Sequence, residues 1–260
     1  NLNVKHIPYA LQPKQQLNGL RENTACRFVN QEEEDKCDKY QGGGTGIITF
    51  DRTTSHTIEH GSDTRNLGRW NWITIRGKKE RCTTIISCYK PRKGQVIYDN
   101  HTSSLIIDES EQHKSTEQIW MEDIKALIKD KQNRHHNIII AGDFNEDLNN
   151  PRSSINILFN DLELKEAQIN QYKKGPATHN RGRQCIDGIF ISNHMNISQG
   201  GYINFAWSPG DHRGIWIDID IKQILRKELD HKIPILSRRA TSKIPSVKKK
   251  FLSLVEDAIK

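Results

Sequence analysis

Four short segments of this sequence carry side chains that can move protons or hold anions. The first is Gly142-Asp143-Phe144-Asn145, which closes an unbroken apolar run at residues 137–141 (NIIIA). A carboxylate and an amide two residues apart project the same way on extended backbone. The carboxylate can take a proton from water, and the amide can donate to a phosphate oxygen. The second segment is Gly210-Asp211-His212, just before residues 214–219 (GIWIDI). Its adjacent Asp and His point two polar groups to different sides. The third is Ile186-Asp187-Gly188-Ile189-Phe190, a charge inside an apolar stretch. A buried carboxylate is costly unless paired, and His212 is the natural partner. A carboxylate on one imidazole nitrogen fixes the tautomer and favours the protonated ring. The fourth is Ser87-Cys88-Tyr89-Lys90-Pro91, where a Tyr hydroxyl can donate to an anion with Lys90, Arg92 and Lys93 nearby. Taken singly, each also reads as ordinary structure: an Asp/Asn turn capping a strand, a loop His, an edge strand with Asp187 facing water, a core aromatic.

These segments need strands to hold them. Residues 45–50 (TGIITF) read as a strand after the flexible Gly42-Gly43-Gly44. Residues 71–76 (NWITIR) alternate apolar and polar, 77–80 (GKKE) form a turn, and 82–89 (CTTIISCY) return, which predicts a β-hairpin. The spacing predicts a helix from about 115 to 133, with Trp120, Ile124, Leu127 and Ile128 on one core-facing side. Residues 137–141 are short and β-branched, as suits a strand covered on both faces. A short helix follows near 153–162. Residues 185–191 (CIDGIFI), 201–205 (GYINF) and 214–219 add three strands. Residues 1–40 are polar, with an acidic run at 32–35, and read as irregular. Many strands with few helices between them predict an α/β (α+β) fold of two packed, mostly antiparallel sheets flanked by helices.

Charge and cysteine content narrow the class. The 260 residues carry a formal charge of +7. Residues 221–260 hold 11 Lys/Arg and 4 Asp/Glu, while residues 1–220 hold 28 of each sign. The body is neutral and the excess sits in a basic C-terminal stretch, read as two helices around a Pro-containing linker. Five cysteines in no metal-binding spacing suit reduced thiols in an intracellular compartment, nucleus or cytoplasm. No apolar run approaches the ~20 residues that span a bilayer, so no membrane is expected. The start at Asn1, with no initiator Met and no signal-peptide pattern, reads as a fragment of a longer protein.

In chain order, Tyr89 with Pro91, then Gly142-Asp143-Phe144-Asn145, Ile186-Asp187-Gly188-Ile189-Phe190 and Asp211-His212, the four chemical segments resemble the motifs of the endonuclease/exonuclease/phosphatase family, which has the deoxyribonuclease-I-like fold. The resemblance covers residues 42–221 and implies a four-layered sandwich, a first domain over 1–221 and a basic connector over 222–260. It implies that Asp143 activates water and that Asn145, Tyr89 and a protonated His212 bind the non-bridging phosphate oxygens. Asp187 would orient His212, and Asp211 would bind metal or protonate the leaving group. Thr178 and Asn180, with Arg181 and Arg183, stand where the family places substrate contacts. Mg²⁺ is the expected ion, with Mn²⁺ as the alternative. Gly43-Gly44-Thr45-Gly46, Gly68-Arg69-Trp70, Pro176-Ala177-Thr178 and Gly200-Gly201-Tyr202 look like endonuclease domains of retrotransposon-type mobile elements. The segment Arg238-Arg239-Ala240-Thr241-Ser242-Lys243 looks like their connector to a following reverse transcriptase domain. The expected function is therefore a metal-dependent endonuclease acting on DNA. The family's metal-binding Glu and first-strand Asn find no match; their place is upstream of Asn1, which implies missing N-terminal strands. Glu22 and Glu32 are not given the role. The alternative is an incomplete remnant of the fold that binds nucleic acid or is inactive.

Overall fold

The apolar run at 137–141 becomes a central strand, and its two faces decide the architecture. In a computed structural model, the described residues are 24–29, 44–78, 81–105, 114–168, 172–208 and 210–225, with Pro245, Ser246, Lys249, Leu252 and Ser253 further on. In chain order the strands and helices begin with β1 (Thr24–Val29), β2 (Thr45–Phe50), α1 (Asp51–His56), β3 (Thr57–Ser62), β4 (Trp70–Arg76) and β5 (Cys82–Tyr89). Next come α2 (Val96–Leu105), α3 (Thr116–Asn133), β6 (Asn137–Asp143), α4 (Ser154–Asp161) and β7 (Leu164–Glu166). The series ends with β8 (Asp187–Ser192), β9 (Ile197–Tyr202), β10 (Ile215–Ile219) and α5 (Ile221–Leu225).

Six strands form one sheet in the order β3-β4-β5-β6-β8-β7. β5 and β6 run parallel, and every other pair in it is antiparallel. The expected hairpin of β4 and β5 is present. The parallel pair needs a crossover, and α2 and α3 carry it. α3 begins at a capping box between Ser115 and Gln118, which satisfies two otherwise unpaired backbone donors. Its Trp120, Ile124 and Ile128 are fully buried, joined by Ile119, while Leu127 is only partly buried.

Strand alternation sorts the core into two layers. Ile138 and Ile140 of β6 face the helices, packing with Ile86, Trp120, Ile124, Phe159 and Phe190. Ile139 and Ala141 face the other way, with Ile189 and Ile191, toward Ile215, Ile217 and Ile219 of β10. On that second side lie two antiparallel ribbons, β1-β2 and β9-β10. The fold is thus the expected mixed α/β arrangement of packed sheets with flanking helices.

Several elements depart from the sequence reading. β1 occupies part of the region read as polar and irregular; its residues are mostly apolar (TACRFV), and it pairs with β2. The edge strand β3, the short β7 and helix α2 were not anticipated. The strand expected at 201–205 is β9, four residues earlier. Asn204 ends it by capping a 3-10 turn, Phe205–Trp207, through Ala206 N. The chain divides into units Asn1–Lys227 and Glu228–Lys260. The connector start expected at 222 falls inside α5, where Leu225 is buried and packs with Ile73, Ile75, Ile221 and Ile224. The described residues of the second unit are helical and exposed. The acidic run at 32–35, Glu22, Gly42, Gly43 and most of the C-terminal basic stretch lie outside the described residues.

α2 also places His101 at 0% exposure with neither ring nitrogen hydrogen-bonded. Burial, then the charge of Arg69, push its pKa down to about 4. The ring stays neutral in the fold but takes a proton near 6.5 when unfolded. Stability is therefore present above pH 6.5 and is lost as pH falls toward 4, by up to ~1.4 kcal/mol per unit. His101→Leu is expected to lose about 2 kcal/mol less than the parent between pH 7 and 4.5 in urea denaturation. Equal losses would contradict this.

Candidate active site

One rung of the large sheet brings together three of the residues singled out from the sequence. Tyr89 ends β5, Asp143 ends β6, and Asp187 begins β8. Register pairs Tyr89 with Asp143 and Asp143 with Asp187. Residues in register project to the same face, here the face toward the ribbons. The neighbouring rung is small: Cys88, Gly142 and Gly188. A Cβ on Gly142 would lie 1.9 Å from Cys88 O, and one on Gly188 would lie 2.4 Å from Leu148 Cδ1. Glycine at these positions lets β5 meet β6 and lets Leu148 pack on β8.

His212 arrives from the loop before β10. Arg213 N donates to Thr178 O at 2.7 Å and Asn180 N to Asp211 O at 2.8 Å, so this loop is zipped to residues 178–180. His212 Nδ1 lies 2.8 Å from Asp187 Oδ2. Tyr89, Asp143, Asp187, His212 and Arg213 line a cleft of about 350 Å³, closed on one side by Thr45, Gly46 and Ile48 of β2.

The electrostatics follow from this packing. Burial, then the charge of Asp187, raise the Asp143 pKa to about 7; His212 works in the opposite direction. The hydrogen bond to Asp187 raises the pKa of His212 against the effect of burial, and the charges of Asp187, Asp143 and Asp211 add to the rise. Burial, then Asp143, push the Tyr89 phenol up to about 12, so it is a neutral donor. Its hydroxyl donates to Gln95 Oε1 at 2.9 Å.

The other sequence candidates are placed differently. Asn145 is not on extended backbone: its φ is 52°. Its amide N donates to Asp143 Oδ1, and its Nδ2 donates to Lys90 O at 2.7 Å. Asn145 therefore braces the Asp143 turn, and it is not part of the cleft lining. Thr178 is fully buried, and its hydroxyl accepts from Ile186 N and Asp187 N. It fixes Asp187 and is not part of the cleft lining. The side chains of Asn180 and Arg183 are exposed and outside the cleft lining. Lys90 does not face an anion site. Alternation after Tyr89 turns it to the helix side, where its 2%-exposed ammonium meets Glu146 at 2.8 Å and Glu117 at 3.2 Å. Asp211 is exposed and lies 3.4 Å from His179 Nε2.

Sequence reasoning missed Gln95, Arg213 and His179. The position of Arg213 directly after Asp211-His212 was the available signal. Its guanidinium stacks 4.0 Å from the Phe205 ring and donates to Ala177 O.

The donor sets can be tested against a divalent ion. Asp143, Asp187 and His212 offer ligand atoms within 4.8 Å of one another. Burial, then the Asp187 charge, raise Asp143; a hard cation would offset both, so this pair fits Mg²⁺ or Mn²⁺. Asp211 has imidazoles rather than a second carboxylate beside it, a poorer set for Mg²⁺.

No protein-family model matches the sequence, and no curated protein matches it. Solved structures do match. The 3′ phosphatase NExo from Neisseria, bound to product DNA hairpin, shares 15% identity and a TM-score of 0.53, over 82% of this chain and 95% of that one. The chain has the deoxyribonuclease-I-like fold. The 3′-5′ exonuclease NExo from Neisseria meningitidis gives the same identity and TM-score, over 82% of this chain and 96% of that one. The human Nocturnin catalytic domain with bound sulfate anion shares 16% identity and a TM-score of 0.51, over 80% and 77%. In this fold the cleft between the sheet layers is built at one end of the parallel pair, where β5 and β6 both terminate. Among the described residues, no helix is long and apolar enough to cross a membrane.

Proposed function

We propose that this chain is a divalent-metal-dependent phosphodiesterase of the endonuclease/exonuclease/phosphatase family that nicks DNA. The observation that carries the reading is the Asp143–Asp187–His212 constellation on one cleft wall. Asp143, on the cleft wall, accepts a proton from water. Asp187 orients His212 through the 2.8 Å contact and favours its protonated form. His212 then faces the phosphate as a donor to oxygens on which charge builds, and the neutral Tyr89 hydroxyl joins it by turning its proton away from Gln95 Oε1. Asp143 and Asp187 would hold Mg²⁺ or Mn²⁺, which supplies positive charge to the phosphate and acidifies bound water. The matched nucleic-acid-bound structure supports DNA as the substrate class, being a 3′ phosphatase with product DNA hairpin.

The finer reading, a mobile-element endonuclease with a reverse transcriptase domain beyond it, rests on the sequence motifs around residues 43–46, 68–70, 176–178 and 238–243. The test is a supercoiled plasmid with Mg²⁺, run beside an oligonucleotide bearing a 3′ phosphate. Nicked circles that vanish with EDTA support the endonuclease. Phosphate release without nicking favours a phosphatase, and neither product favours a remnant.

Residues 228–260 carry eight Lys/Arg against four Asp/Glu. Ending the chain after Lys227, beyond α5, is expected to weaken duplex DNA binding. Each lost phosphate contact lowers the slope of log K against log salt by ~0.9, so the slope is expected to fall by ~2 or more. Fluorescence anisotropy over a salt series measures this; an unchanged slope would assign DNA binding to the body alone.

A further inference from the structure

His179, Asp211 and His212 form a second donor cluster at the cleft rim, and the proposed reaction uses only one of the three. One ligand atom from each lies within 4.8 Å of the others. His179 Nε2 stands 3.4 Å from Asp211 Oδ2, and the two imidazole rings are 4.9 Å apart at 73°. The two segments that carry them are locked together by the His179–His212 bridge and two flanking backbone hydrogen bonds. The donors are therefore fixed by sheet-like pairing and do not depend on a free loop.

Two further observations point to a cation. Asp187 engages His212 through Nδ1 at 2.8 Å, which leaves Nε2 as the nitrogen for a ligand bond. A carboxylate behind an imidazole is the outer arrangement that orients metal-binding His and raises its basicity. The donor set itself is two imidazoles and one carboxylate. Such a set suits borderline ions of the zinc class, with a fourth position open, whereas Mg²⁺ prefers oxygen throughout. His179 Nδ1 now accepts from Arg181 N at 3.2 Å. Binding through Nε2 moves the ring proton to Nδ1 and gives up that long contact.

We propose that His179, Asp211 and His212 bind one zinc-class divalent cation, and that its occupancy withdraws His212 from the reaction. The second clause rests on the nuclease reading; the first does not.

Titration of the full chain with Zn²⁺ by calorimetry, and with Co²⁺ by visible absorption, tests the site directly. His179→Ala and Asp211→Asn, both at partly exposed or exposed positions, are expected to weaken Zn²⁺ binding at least ~10-fold and to lose the Co²⁺ band. Asp143→Asn, which alters only the inner carboxylate pair, is expected to keep both. Zn²⁺ affinity equal to the parent in His179→Ala and Asp211→Asn would overturn the site. In Mg²⁺-supported nicking, Zn²⁺ is expected to inhibit the parent, and His179→Ala to need at least ~10-fold more Zn²⁺ relative to its own zinc-free rate. Equal sensitivity would overturn the second clause. Absence of nicking in the parent would instead count against the nuclease reading, with the binding arm still deciding the site.

Discussion

Replacing His212 by Ala is expected to slow Mg²⁺-dependent plasmid nicking by at least ~100-fold, the usual scale for losing a positioned catalytic donor. The physical reason is the 2.8 Å contact with Asp187, which raises the imidazole pKa and holds the ring at the cleft wall. Removing the ring leaves Asp187 without its hydrogen-bond partner and the phosphate without that donor. Asp143→Ala is expected to lose at least ~100-fold as well, because no other described carboxylate on the cleft wall stands in register between Tyr89 and Asp187. Both positions are only partly buried, so thermal midpoints should stay within a few degrees of the parent. Rates equal to the parent in a folded His212→Ala protein would remove this constellation from the mechanism.

The largest expected stability effect lies away from the cleft. Arg69 is fully buried and Asp63 is 1% exposed. They meet through two contacts of 2.6 and 2.7 Å, and Arg69 Nη2 also reaches Asp123 of α3 at 2.8 Å. Burial alone would raise the Asp63 pKa, but the hydrogen bonds and charge of Arg69, with the N–H groups of Arg65 and Arg69, bring it below the usual value. Asp63→Asn leaves the guanidinium buried with one partly exposed partner. Breaking such a pair from one side costs about 3–5 kcal/mol, or a fall of roughly 10 °C in Tm for a body of this size. A depressed carboxylate pKa gives stability that is present above the unfolded value and is lost as pH falls through the folded one. The gap between Asp63→Asn and the parent should therefore close only at pH below about 4. A double replacement, Asp63→Leu with Arg69→Met, is expected to recover most of the loss, because it removes both charges. A single-variant penalty under 1 kcal/mol would show that the pair is not energetically coupled.

The central elements were legible because their signals are local. The β-branched run at 137–141, the Trp120–Ile124–Ile128 spacing and the turn between β4 and β5 need only nearest neighbours to be read. β1 was hidden in a mostly polar region, and β3, itself polar, is a strand only by pairing with β4. The Gly200-Gly201 pair disguised β9, whose strand character comes from β10.

The candidate site divides in the same way. Residue type and order put Tyr89 and Asp143 at strand ends, Asp187 inside an apolar strand and His212 just before one, and paired Asp187 with His212, because a buried charge requires a partner wherever it lies. Residue type could not decide which face each side chain takes. The αL turn at Asn145, the burial of Thr178 and the rotation of Lys90 toward Glu146 follow from register and layer packing, and these set which of the polar residues reach the cleft. The net charge was likewise a sequence fact, with a neutral body and a basic C-terminal stretch. The raised Asp143 pKa and the meeting of His179 with Asp211 and His212 were decided only by the tertiary structure, because both depend on distances between segments far apart in the chain.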